Sequence, residues 1–168
     1  SEKALSMTDF YQVLETSDVP SGVVNIVTGD AATLAKTLAE HDASGRRLVT
    51  LVAPGGVGKS HLLTEYAARL PDGTSRLYVE LPCIGGATAA EVAESIARAA
   101  GQTLGGGDPI DTLASALRAS DYLLLLDEAE WSVGACAEVV QRLITSCPGI
   151  RFVVTSRVPL DLIGESRL

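Results

Sequence analysis

Apolar positions along the chain switch repeatedly between helical and strand-like spacing. Met7, Phe10, Tyr11 and Leu14 fall on one helical face, with Ser6 placed as its cap. Val23 to Thr28 is a β-branched run closed by Gly29, which predicts a buried strand. Asp30 is placed to cap a helix carrying Leu34 and Leu38 on one face, and Leu48 to Val52 predicts a second strand. A glycine-rich turn follows, then a helix from Lys59 to Leu70 that buries Leu62, Leu63, Tyr66 and Leu70 and is stopped by Pro71-Asp72-Gly73. Leu77 to Leu81 is a third strand. Thr88 and Glu91 have capping-box spacing ahead of a helix with Val92 and Ile96 inward. After the loop Gly105-Gly106-Gly107, Asp108-Pro109 opens a helix carrying Ile110, Leu113 and Leu117. Tyr122 to Leu126 and Phe152 to Val154 are continuous apolar strands, separated by an amphipathic helix with Cys136, Val139, Val140, Leu143 and Ile144 on one face.

Strands without alternation are covered on both faces, which requires a parallel sheet between two layers of helices. The expectation is a single three-layer α/β domain over residues 1–168, a length that suits one core. A formal charge of −8 argues against an extended nucleic-acid interface, because neutralising a phosphate backbone takes a basic surface. One bound nucleotide needs only a local cluster of donors. The longest apolar run, Tyr122 to Leu126, is too short to cross a bilayer, so no membrane partner is expected. No basic-then-apolar leader opens the chain. Cys83, Cys136 and Cys147 are odd in number and widely spaced, which suits reduced buried thiols and a cytoplasmic setting.

The chemistry concentrates in Ala53-Pro54-Gly55-Gly56-Val57-Gly58-Lys59-Ser60, lying between a predicted strand and a predicted helix. Glycines let consecutive amides turn inward around an anion, and the helix that follows adds unpaired amides and the positive end of its dipole. Pro54, Gly55, Gly56, Val57, Gly58, Lys59, Ser60 and the adjoining His61 are the expected nucleotide-binding residues. Lys59 would reach the outer phosphates and the Ser60 hydroxyl would ligate Mg²⁺. The usual first glycine of such a loop is Ala53 here. Leu123 to Leu126 runs into Asp127-Glu128, two carboxylates at the carboxyl end of a strand, where parallel sheets collect their ligands. Asp127 is the expected second metal ligand, and Glu128 the residue placed to polarise an attacking water. Arg157, in Thr155-Ser156-Arg157 on the same rim, is the candidate contact for the terminal phosphate; its rival reading is a solvated loop arginine. His61 as a catalyst, His41 at a helix end and Trp131 as a packing residue are weaker candidates.

From about Ser44 onward the chain resembles the nucleotide-binding domain of signal-transduction ATPases with numerous domains, in particular the ATPase module of large bacterial transcriptional regulators. The phosphate loop, Leu124-Leu125-Leu126-Asp127-Glu128-Ala129-Glu130 and Cys147-Pro148-Gly149-Ile150-Arg151 leading into Thr155-Ser156-Arg157 carry that resemblance. It implies ATP or ADP with Mg²⁺ and slow, switch-like hydrolysis, although the position of Glu128 is often Asn or Asp in that family. Residues 1–43, through Glu15-Thr16-Ser17-Asp18-Val19-Pro20-Ser21-Gly22 and the strand after it, resemble part of the cofactor-binding domain of aldehyde dehydrogenases. That family's catalytic residues lie outside the fragment, so dehydrogenase activity is not expected. The two resemblances together imply a recombined or engineered chimera. Its βαβ unit would set strand 23–28 beside 48–52, giving the order 23–28, 48–52, 151–155, 122–126, 77–81. A rival reading is a folding scaffold that binds phosphate incidentally and catalyses nothing.

Overall fold

Runs that are apolar on both faces build the centre of a sheet, and the computed structural model puts Leu123–Asp127 there, buried at every position. The structure describes residues 45–82 and 86–168, together with 36 and 40. Five strands, β1 (Leu48–Val52), β2 (Arg76–Glu80), β3 (Leu123–Asp127), β4 (Arg151–Ser156) and β5 (Ser166–Arg167), pair in the order β2-β3-β4-β1-β5. Every pairing is parallel. Between them run α1 (Lys59–Arg69), α2 (Ala89–Ala99), α3 (Pro109–Leu117), a 3₁₀ turn (Ala129–Trp131) and α4 (Val133–Ser146). The fold class read from the sequence is the one observed.

The pleat divides the core in two. Val49, Leu51, Leu123, Leu125 and Val153 project towards Leu63 and Tyr66 of α1. Leu48, Leu124, Leu126, Phe152 and Val154 face the other layer, with Val92 and Ile96 of α2, Leu113 and Leu117 of α3, and Val139, Val140 and Leu143 of α4. The helix starts follow their sequence signals. Thr88 and Glu91 form a reciprocal capping box at α2. Asp108 caps α3, its carboxylate accepting from the Asp111 amide at 2.9 Å, and Pro109 occupies the first helical position. Cys136 and Cys147 are buried free thiols, and burial pushes Cys136 up to about 12.

One expectation of strand order is corrected. A strand has two edges; those of β1 are taken by β4 and by β5. Leu168 extends the second pairing: the Val52 amide donates to its carbonyl at 2.8 Å, and its own amide donates to Thr50 at 3.0 Å. The flank assigned to 23–28 is therefore filled by the segment after β4. Residues 23–28 themselves, the helices expected before β1, His41, Cys83 and the aldehyde-dehydrogenase-like segment lie outside the described residues. Among the described residues no helix is long and apolar enough to cross a membrane.

Candidate functional site

The order β3-β4-β1 brings three strand ends side by side, and the turn after β1 rises over them. Gly56 and Gly58 adopt φ values of 80° and 93°, in the left-handed region that side chains resist. Gly58 is also the N-cap of α1 and offers no side chain to that helix's first amides. Those donors, and the positive end of the dipole, are left to face the turn. Pro54 through Gly58 are exposed around it. Gly55 is small for a different reason: a Cβ there would lie 3.0–3.3 Å from the Arg157 guanidinium.

Lys59 curls back over this turn, its Nζ donating to the carbonyls of Ala53 at 2.9 Å and Pro54 at 3.2 Å. Ser60 stands one residue on, its Oγ donating to Asp127 Oδ1 at 3.1 Å. The expected metal pair is thus brought together from α1 and β3, elements 67 residues apart in sequence.

Asp127 is buried and surrounded by donors. Oδ1 accepts from Ser60, from the Thr155 hydroxyl and from the Glu128 amide, while Oδ2 accepts from the Tyr78 hydroxyl at 2.6 Å. Burial and the neighbouring carboxylate push Tyr78 well above the usual phenol value, so it remains a donor. Glu128 turns the chain at φ 63°, ψ 38°, a conformation disfavoured for a residue with a side chain. Its amide, bonded to Asp127 Oδ1 at 3.1 Å and Thr155 Oγ1 at 3.0 Å, holds it there.

Arg157 lies beyond β4 with its side chain 52% exposed. Its Nε donates to Glu130 Oε1 at 3.0 Å, and its guanidinium lies 5.5 Å from the centre of the Trp131 ring. Glu130 Oε1 also stands 3.9 Å from Lys59 Nζ, with both side chains 10% exposed. His61 is exposed on the first turn of α1.

Tyr78, Thr155 and Glu130 belong to this constellation although sequence reasoning gave none of them a role. Thr155 follows Val154, which pairs with Leu126, so it lies beside Asp127. Tyr78 pairs with Leu125, two residues before Asp127 and on its face. Those partners depend on strand register. A polar hydroxyl in each apolar strand was the available signal.

Ser60 Oγ and Asp127 are hard oxygen donors in contact, the set that Mg²⁺ takes. No group of three or more His, Cys, Asp or Glu able to hold a metal occurs among the described residues. The pair fits a cation that draws its remaining ligands from water and phosphate, as Mg²⁺ does, rather than one caged by protein.

Residues 41–168 match the family model described as AAA domain. Over 122 residues the chain is 36% identical to a protein of Mycobacterium tuberculosis named as an HTH-type transcriptional regulator, covering 71% of this chain and 13% of that protein. The chain therefore spans about an eighth of that relative's length. Among solved structures, Drosophila ORC bound to AT-rich DNA and Cdc6 aligns with a TM-score of 0.57 at 13% identity, over 83% of this chain and 56% of that one. The Aeropyrum pernix ORC2 protein, solved in ADPNP-ADP complexes, aligns with a TM-score of 0.51 at 16% identity, over 86% and 43%. The exclusion of nucleic acid drawn from net charge is corrected by the first of these. A domain of this fold works within an assembly bound to DNA, and whole-chain acidity describes neither local patches nor the rest of an assembly.

Proposed function

Because the chain belongs to the AAA domain family over residues 41–168 and is a P-loop nucleotide-binding domain, we propose that it binds ATP or ADP with Mg²⁺ as the switch-like ATPase module of a larger protein. The observation that carries the reading is the 3.1 Å contact of Ser60 with Asp127 at the mouth of the Gly55–Gly58 turn. It joins a hydroxyl at the start of a helix, whose amides attract phosphate, to a buried carboxylate fixed by four donors. The 13% span of the regulator relative supports a module within a longer chain.

In this reading the amides of Gly55 to Ser60 hold the inner phosphates. Lys59 leaves the carbonyls of Ala53 and Pro54 for the outer ones. Ser60 and Asp127 hold Mg²⁺, which supplies charge neutralisation across those phosphates. Glu128 polarises a water for slow hydrolysis, and Arg157 meets the terminal phosphate.

Titration of fluorescently labelled ATP tests this. Lys59→Ala is expected to weaken binding at least about tenfold, the loss of a charge-assisted contact. Glu128→Gln is expected to bind like the parent and lose turnover. Equal affinities for the parent and Lys59→Ala would end the reading.

A further inference from the structure

Glu130 is an acid in a place where the proposed ligand is itself an anion. Its Oε1 contacts Arg157 at 3.0 Å and lies 3.9 Å from Lys59, the two cations assigned above to the outer phosphates. Its side chain is 10% exposed, and Oε2 is buried with no hydrogen-bond partner among the described residues. This carboxylate offers one oxygen to two cations and leaves the other unmatched. We infer that Glu130 is a specificity-determining residue, an internal anion that competes with the terminal phosphate and biases the site towards nucleoside diphosphate. The inference rests on the nucleotide reading above.

The bias follows from where the two cations stand. Lys59 sits on the loop itself, within reach of any nucleotide phosphate that enters the amide hollow. Arg157 projects from beyond β4, its guanidinium 3.0–3.3 Å from where a Cβ on Gly55 would stand; in the proposed arrangement it is the terminal phosphate, beyond those held at Lys59, that meets it. A diphosphate fills the hollow and leaves Arg157 on Glu130. A triphosphate must draw Arg157 away, and it brings its own negative charge beside a carboxylate that solvent screens poorly. Arg157 is half exposed and free to swing, whereas the Glu130 side chain is 10% exposed on a turn anchored by the buried Ala129. The ring under Arg157 reports that movement, since Trp131 is the only tryptophan of the chain.

The test has two arms, each with ADP and a nonhydrolysable ATP analogue in Mg²⁺. In the parent protein, the analogue is expected to change Trp131 emission as Arg157 leaves the ring, and ADP to leave it unchanged at saturation. Identical responses to the two ligands would overturn the inference, with no variant required. In Glu130→Gln, affinity for the analogue relative to ADP is expected to rise about fivefold or more, the size of a modest coupling between sites. An unchanged ratio, or one moved towards ADP, would likewise overturn it. Lys59→Ala separates the two levels. If it loses both ligands while Glu130→Gln leaves the ratio unchanged, the nucleotide site stands and the role of Glu130 falls. If Lys59→Ala binds like the parent, the nucleotide reading itself falls.

Discussion

At the scale of single residues, the site is organised around what holds Asp127. Three donors on Oδ1 and one on Oδ2 fix both the position and the rotation of its carboxylate. Removing the Tyr78 hydroxyl should leave the position and free the rotation. Tyr78→Phe is therefore expected to fold normally, with half-maximal Mg²⁺ in nucleotide binding raised about tenfold, the scale of lost support behind a metal ligand. A Mg²⁺ titration at fixed nucleotide with an unmoved midpoint would remove Tyr78 from that role. The raised pKa of Tyr78 also has a sign. The folded state keeps a proton that the unfolded chain gives up near 10, so the stabilisation is complete below that pH and declines as pH rises through the folded value. The Ser60–Asp127 pair was legible because loop and strand-end carboxylates each carry their context in the sequence. Tyr78 and Thr155 were not, because a polar residue in a strand acquires its meaning from the neighbour the register assigns; Glu130, on the 3₁₀ turn after β3, acquires its meaning from the two cations that folding brings to it.

At the scale of elements, the turn from α4 into β4 shows why one small residue is required. An added Cβ on Gly149 would lie 2.7 Å from the Ser120 carbonyl oxygen and 3.4 Å from the Asp121 Cα, which are backbone atoms unable to yield as a side-chain tip does. The neighbouring chain is fixed in turn, since the Arg151 amide donates to Tyr122 at 3.0 Å and β3 begins at Leu123. Gly149→Ala is expected to cost about 1–3 kcal/mol, the range for forcing a methyl group into filled space. Chemical denaturation checks it; a midpoint equal to the parent's would show that the two segments separate freely. Helix starts were readable to the residue at Thr88 and Asp108 because capping is local chemistry. β5 escaped notice because Ser166–Arg167 has no apolar run, and its identity as a strand comes from the edge of β1 that it completes.

On the scale of the whole molecule, hydrophobic periodicity was enough to give a parallel sheet with helices on both faces, since each central strand must be covered twice. It was not enough to say which segment closes the sheet beside β1: residues 23–28 were expected there, and Ser166–Arg167 takes that edge. The same assembly makes the site a property of the complete fold. Its residues come from the turn after β1, from the end of β3 and from β4, whose ends adjoin only in the finished order β3-β4-β1. An unfolded chain cannot gather them, so a ligand of this site binds the native state alone and must raise its stability by mass action. At a hundredfold excess over its dissociation constant the gain is about 2.7 kcal/mol. For a domain of this size that corresponds to a melting temperature higher by about 5–10 °C. Mg²⁺ with a nonhydrolysable ATP analogue is expected to produce that shift in a thermal scan, Mg²⁺ alone to produce none, and Lys59→Ala to abolish it. A shift that persists undiminished in Lys59→Ala would place the bound nucleotide away from the turn after β1.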